Sequence, residues 1–211
     1  DAEECERMLM IRALAPLIDA GKLKVYSPDS VAGQAWIDKG LSARQKAWVQ
    51  NQFDGYVFHE LLPAIRSDCR SPDIEVYTAG ASLGAFNALM SICRHPEAFK
   101  VALCMSGTFD LSGWMDGHHP VDFHLASPVH FLPYLGEGPQ LERLRQRFVV
   151  LACGGGRWET PRNSWGAAAA LGERGIPNRV DLWGPEHDHD WPTWREMLPK
   201  YLTEMLHAEM P

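Results

Sequence analysis

Apolar residues recur along this chain with two different spacings, and the spacing changes from one segment to the next. Short, mainly apolar runs are typical of buried strands, and they cover residues 74–80, 100–107, 147–153 and 178–184. In the segments around them, apolar residues recur every three to four positions, which is typical of an amphipathic helix. The helices predicted in this way cover residues 2–20, 42–66, 82–94, 163–174 and 192–207.

Two further segments complete the pattern. Residues 23–26 predict a short strand, which the turn-forming residues SPDS close. Residues 108–146 are rich in Gly, Pro, His and aromatic side chains and predict an irregular insertion. Glycines at 21 and 175 are expected to end their helices, and Pro63 is expected to interrupt the last turn of the helix over 42–66.

Apolar strands that alternate with helices predict a mostly parallel sheet with helices on both faces. We therefore expect one doubly wound α/β domain over residues 1–211. In such sheets the functional residues gather at the carboxyl ends of the strands. Candidate chemistry follows three of the predicted strands, at Ser82, in the loop around Glu159, and in the segment EHDHDW at 186–191.

Composition and charge exclude several classes of partner. The net charge of −7 argues against nucleic acid and anionic membrane surfaces, because both require a basic face. No apolar run is long enough to span a bilayer. The five cysteines form no CxxC pair, which argues against a zinc knuckle or a redox dithiol and favours free thiols in the cytoplasm.

Ser82 lies at a predicted strand-to-helix join in the segment GASLGAFNA, which fits the pattern G-x-S-x-G. A serine that projects its hydroxyl beyond a sheet edge needs a strained backbone, and close neighbours that lack a Cβ atom. We expect Gly80 and Gly84 to meet that need. The amide of Leu83 opens the following helix and is the candidate oxyanion donor. The simpler alternative is that Ser82 caps this helix.

A nucleophilic serine needs a histidine to take its proton and an acid to orient that histidine. In this fold class the order along the chain is Ser, acid, His. His187 and His189 both follow the last predicted strand. We favour His189, because Asp190 can cap the terminal helix and fix the imidazole at the helix start. Glu159 is the preferred acid and Asp110, after the preceding strand, is its main rival.

A metal site is a second interpretation of the histidine-rich segments. His and Asp side chains cluster within 108–146, and HDHD recurs at 187–190. The clustered residues are His118, His119, Asp122, His124 and His130. We prefer an interpretation without a metal or other cofactor, in which residues 108–146 form a cap over Ser82 and line an acyl pocket.

The segments GASLGAFNA, CGGGRWETP and HDHDWPTWREMLPKYL together resemble the α/β-hydrolase esterases of the putative-esterase type, which include esterase-D-like enzymes and, more distantly, mycolyltransferases. The resemblance covers about residues 70–205. It implies an acyl-ester hydrolase with Ser82 as nucleophile, His189 as base and Glu159 as acid. An acyltransferase, a thioesterase or a non-catalytic interaction module with the same fold are the alternatives.

The resemblance also predicts which parts of such an enzyme this chain lacks. In these esterases a loop upstream of the first helix supplies half of the oxyanion hole. The chain begins in that helix, so we expect the first strands and the second oxyanion amide to be missing or to come from a separate amino-terminal segment. The expected partners are then a small-molecule ester and such a segment, together with a second copy of the chain in a homo-oligomer.

Overall fold

The computed structural model of the chain describes residues 2–208, and its centre is a four-stranded parallel sheet. The strands occur in chain order across the sheet and are β1 (Tyr77–Ala81), β2 (Val101–Met105), β3 (Phe148–Cys153) and β4 (Asn178–Leu182). Each pair of neighbours is parallel. The four apolar runs therefore form the predicted strands, although β1 begins three residues later than the pattern suggested.

Helices lie before, between and after the strands. In the amino-terminal part they are α1 (Glu4–Arg7), α2 (Met10–Asp19), α3 (Val31–Ile37), α4 (Ala43–Tyr56) and α5 (Leu62–Asp68). From β1 onward they are α6 (Leu83–Arg94), α7 (Val121–Ala126), α8 (Pro128–Phe131), α9 (Pro139–Leu144), α10 (Pro161–Gly172) and α11 (Trp191–Ala208). No helix within residues 2–208 is both long and apolar enough to cross a membrane.

Strand β2 shows that helices cover both faces of the sheet. Ala102 and Cys104 are buried in one apolar cluster with side chains of α6 and α10. Val101, Leu103 and Met105 are buried in a second cluster with side chains of α2 and α11. Since successive strand residues point to opposite faces, this division confirms the doubly wound α/β sheet.

The predicted helix over residues 2–20 is interrupted. Leu9 adopts a left-handed conformation with a φ of 61° and is half exposed. It separates α1, which has no buried residue, from α2, in which Met10 and Leu14 are buried against the sheet. Only the second helix therefore contributes to the core.

The prediction of a strand at residues 23–26 is wrong. Leu23 and Val25 pack against the second apolar cluster, while Lys24 and Tyr26 contact Asp68 at the end of α5. The side chains therefore alternate as they would in a strand. A strand also needs a neighbour for its backbone groups, and the four-stranded sheet does not include this segment.

The long helix predicted over 42–66 is present as α4 and α5, joined by a π-helical turn at Val57–Leu61. Ser42 caps its start, with a hydroxyl that accepts a hydrogen bond from the amide of Gln45. The wider turn lies just before Pro63, which has no amide hydrogen to donate. The chain therefore continues as a helix past the proline instead of ending there.

Residues 108–146 are more regular than predicted, since they include α7, α8, α9 and two 3₁₀ turns. Apolar side chains from the first part of this segment form a third cluster with α3, α4 and α6. They are Leu111, Met115, Phe123 and Ala126, and Leu83 packs against the same cluster. This part of the segment therefore lies beside the start of α6.

Candidate active site

Ser82 lies at the junction between β1 and α6 with a φ of 55° and a ψ of −119°. This is the strained conformation that the sequence predicted for the residue. Its amide donates to the carbonyl of Met105, and its carbonyl accepts from the amide of Thr108. The side chain makes no capping hydrogen bond to the helix. The helix-cap alternative for Ser82 is therefore wrong.

The two glycines around Ser82 differ in their roles. A Cβ atom on Gly80 would lie 2.1 Å from the carbonyl oxygen of Gly84, so this position requires glycine. A Cβ atom on Gly84 would meet nothing within 4 Å. The prediction that a side chain at position 84 would clash is therefore wrong. Gly84 approaches Gly80 through its carbonyl group, and the space around its own Cα atom is open.

Leu83 is the first residue of α6. The first amides of a helix have no partner within the helix and carry the positive end of its dipole. The backbone amide of Leu83 therefore lies directly after Ser82 with positive partial charge, as an oxyanion donor requires.

Glu159 and His189 lie next to each other. Oε2 of Glu159 lies 3.5 Å from Nδ1 of His189. The side chain of Glu159 is 1% exposed and that of His189 is 23% exposed. Trp194 packs edge-on against the imidazole, with ring centroids 5.2 Å apart. The imidazole thus has a buried carboxylate on one nitrogen and an aromatic wall beside it.

The environment of Glu159 stabilises its charged form. Burial alone would raise the pKa of Glu159, but contacts with His189, Ser106 and Cys153 outweigh burial and hold this pKa below the ordinary value. Ser106 donates to Oε1 at 2.5 Å, and the Cys153 thiol donates to Oε2 at 3.2 Å. Burial and the nearby carboxylate raise the pKa of Cys153 to about 12, so this thiol keeps its proton.

The loops that carry the acid and the base are joined through their backbones. The amide of His189 donates to the carbonyl of Arg157, and the amide of Gly156 donates to the carbonyl of His187. A Cβ atom on Gly154 would lie 2.1 Å from that same His187 carbonyl. Glycine is therefore needed in the loop after β3, because the loop after β4 passes so close to it.

An ion pair and a helix cap fix the same loops. Arg157 binds Asp188 through its amide and its guanidinium, with Nη2 2.8 Å from the carboxylate. Asp190 accepts a hydrogen bond from the amide of Thr193 at the start of α11, which confirms the predicted cap. His189 lies between these two anchors.

The side chains of the rival residues contact other partners. Asp110 accepts from the amide of Ser112 and lies 3.8 Å from Nε2 of His130. His187 contacts the exposed carboxylates of Glu186 and Glu196. Within residues 2–208 no three His, Cys, Asp or Glu side chains are grouped so that they could hold a metal ion.

Ser106 is the residue at this site that sequence analysis missed. It directly follows β2, has a φ of 49° and is 3% exposed. Its hydroxyl donates to Glu159 and accepts from the indole nitrogen of Trp194 at 3.0 Å. The signal available in the sequence was a serine at the carboxyl end of a fully apolar strand.

Comparison with known proteins gives the family and the fold. Residues 22–205 match the family described as putative esterase. The structure is similar to a ferulic acid esterase, with a TM-score of 0.55, 19% identity, and coverage of 72% of this chain and 59% of that one. It is also similar to an S-formylglutathione hydrolase from Agrobacterium tumefaciens, with a TM-score of 0.58, 16% identity, and coverage of 72% and 56%.

An S-formylglutathione hydrolase from Staphylococcus aureus gives a TM-score of 0.52 at 17% identity, and the match covers 74% of this chain and 64% of that one. The matches thus span less than two thirds of each of these three proteins. No curated protein matches the sequence. The structural likeness shows the α/β-hydrolase fold, and because the family match covers most of the sequence, the chain belongs to the putative esterase family.

Proposed function

We propose that this chain is a serine carboxylesterase that cleaves a small-molecule ester through an acyl-enzyme. Ser82 attacks the ester carbonyl, and His189 takes the proton of its hydroxyl. Glu159 orients His189 and stabilises the imidazolium, while the amide of Leu83 binds the oxyanion. The imidazolium then protonates the leaving alcohol, and water releases the acid in a second cycle of the same steps.

The observation that carries the proposal is the pair formed by Glu159 and His189, which follows strands of the same parallel sheet as the strained Ser82. The acid and the base follow β3 and β4, Ser82 follows β1, and parallel strands end at the same edge of a sheet. The backbone of Ser82 bonds to residues on both sides of Ser106, and Ser106 bonds to Glu159. Hydrogen bonds thus connect the end of β1 to the end of β2, and the end of β2 to the loop after β3.

A non-catalytic interaction module is the alternative from a different class. Such a module would have no need to bury a carboxylate at 1% exposure beside a histidine, since burial of a charge is costly without partners. It would also have no need for the left-handed backbone of Ser82, which strains a non-glycine residue. Both features favour the enzyme.

The proposal also includes a cap over the site, a cellular compartment and further partners. The packing of Leu83 against the third apolar cluster supports residues 108–146 as a cap beside the oxyanion donor. All five cysteines are unpaired, which supports a reducing compartment such as the cytoplasm. A second oxyanion donor from a separate segment and a homo-oligomer remain predictions.

The test is the intact mass of the chain after treatment with a fluorophosphonate. We expect one adduct, and none on Ser82→Ala. His189→Ala should slow the labelling by several orders of magnitude, whereas His187→Ala, the matched control from the same loop, should leave the rate unchanged. Circular dichroism would establish that each variant is folded. Absence of an adduct on the folded wild-type chain, or an adduct that persists in Ser82→Ala, would contradict the proposal.

A further inference from the structure

The candidate acid and base belong to a closed ring of contacts formed by four side chains. Ser106 donates to Oε1 of Glu159 at 2.5 Å, and Oε2 of Glu159 lies 3.5 Å from His189. The imidazole packs edge-on against Trp194, and the indole nitrogen of Trp194 donates back to the Ser106 hydroxyl at 3.0 Å. Ser106 and Trp194 thus hold the pair from both ends.

The hydroxyl of Ser106 is fully engaged in this ring. A serine hydroxyl has one hydrogen to donate, and here that hydrogen goes to the carboxylate of Glu159. The indole of Trp194 can only donate, so its bond to the hydroxyl leaves the Ser106 hydrogen directed at Glu159. The orientation of the serine hydroxyl is therefore fixed by the tryptophan.

Ser106 and Cys153 fix the carboxylate in a single orientation. Ser106 occupies Oε1 and Cys153 donates to Oε2, so rotation of the carboxylate would break one contact or both. In the observed orientation Oε2 faces Nδ1 of His189. A carboxylate held in this way keeps the imidazole in the tautomer with its hydrogen on Nδ1 and leaves Nε2 to act as the base.

The backbone conformation of Ser106 indicates that the serine is not there only to fill space in the core. Its φ of 49° lies in the left-handed region, which is unfavourable for residues with a Cβ atom, and its side chain is buried. Glycine would adopt this conformation without strain. The chain instead has a serine here, and the hydroxyl is what glycine would lack.

We propose that Ser106 is a positioning residue of this site: its hydroxyl, oriented by Trp194, holds the Glu159 carboxylate against His189. The inference rests on the proposed esterase function and extends it to a residue that touches neither the substrate nor the reacting atoms. Removal of the hydroxyl leaves Oε1 without this donor and the carboxylate held only through Oε2, so fewer molecules have the imidazole correctly aligned at any moment.

The experiment measures hydrolysis of p-nitrophenyl acetate by the wild-type chain, Ser106→Gly, Ser106→Ala and Trp194→Phe. Both Ser106 variants should lower kcat about 10-fold and leave KM within about twofold, because the substrate does not contact this serine. Ser106→Gly relieves the backbone strain and Ser106→Ala retains it, so an equal loss of kcat in both variants attributes the effect to the hydroxyl. Ser91→Ala, a buried serine on α6, is the control and should keep its kcat.

Trp194→Phe keeps a ring beside His189 and removes the indole donor, so its loss of kcat should be smaller than that of Ser106→Ala. Because the two residues act through one contact chain, Ser106→Gly combined with Trp194→Phe should lose no more activity than Ser106→Gly alone. Additive losses would overturn the role given to Trp194.

The outcomes separate this inference from the proposed function. If the wild-type chain reacts through Ser82 and both Ser106 variants keep their kcat, the positioning role is overturned and the esterase function stands. If Ser106→Ala loses activity but Ser106→Gly keeps its kcat, the site works without the hydroxyl, and the role is again overturned. If the folded wild-type chain neither hydrolyses the ester nor reacts with a fluorophosphonate, both are overturned.

Discussion

Oε2 of Glu159 lies 3.5 Å from Nδ1 of His189, and the two residues come from the loops after neighbouring strands β3 and β4. The separation is longer than a good hydrogen bond. Backbone bonds join the two loops, so the pair does not depend on this contact alone. Single substitutions can therefore decide whether Glu159 or Asp110 is the acid.

Glu159→Gln should lower kcat by about three to four orders of magnitude. The amide has nearly the same shape as the carboxylate, but it neither stabilises the imidazolium nor selects the correct tautomer. Hydrolysis of p-nitrophenyl acetate measures the effect. Asp110→Asn is the matched control at the rival acid. It should leave kcat within about twofold, because Asp110 is exposed and contacts Ser112 and His130 instead. A large loss in Asp110→Asn with a small loss in Glu159→Gln would assign the acid to Asp110.

The lowered pKa of Glu159 predicts a specific dependence of stability on pH. A carboxyl whose pKa is lower in the folded chain than the ordinary value of 4.5 stabilises the fold when the pH is above 4.5. That contribution is lost as the pH falls through the lowered, folded-state value. The difference in unfolding free energy between the wild-type chain and Glu159→Gln should therefore shrink between neutral and strongly acidic pH, as urea unfolding at each pH would measure.

Ser106→Ala provides the control for this dependence. The wild-type hydroxyl is one of the donors that lower the pKa of Glu159, so in the variant the contribution of Glu159 should be smaller and its loss should be complete at a higher pH. Identical pH profiles for the wild-type chain and Ser106→Ala would mean that this hydrogen bond does not stabilise the carboxylate.

Sequence patterns predicted the sheet and the candidate residues because both depend on local features. The four strands are apolar runs; Ser82 directly follows β1, and Glu159 and His189 lie in the loops after β3 and β4. Ser106 could not be recognised in the same way, since its two partners lie 53 and 88 residues away along the chain. Residues 23–26 show a different failure. Their side chains alternate as in a strand, but the four-stranded sheet does not include this segment, and the sequence pattern could not show that.

Gly80→Ala should destabilise the fold, whereas Gly84→Ala should not. An alanine at position 80 would place its Cβ atom 2.1 Å from a backbone oxygen, which cannot move without displacing α6. We expect a loss of at least about 2 kcal/mol in unfolding free energy. An alanine at position 84 meets open space within a helix, so stability should stay level or rise by up to about 1 kcal/mol. Equal losses from urea unfolding of both variants would contradict the asymmetry seen around Ser82.

Trp158 and Trp165 offer a matched test of backbone strain beside the acid. Both indoles are mostly exposed, at 85% and 55%, but Trp158 has a φ of 65° and Trp165 lies within α10. Trp158→Gly should raise the unfolding free energy by about 1 kcal/mol, because glycine adopts the left-handed conformation without strain.

Trp165→Gly should lower the unfolding free energy by about 0.5 kcal/mol, because glycine is a poor helix former. Urea unfolding of the two variants measures both changes. If Trp158→Gly is instead the more destabilised of the two, contacts of the indole must outweigh the strain at position 158. In that case Trp158, which directly precedes Glu159, would help to hold the acid loop in place, and kcat should fall together with stability.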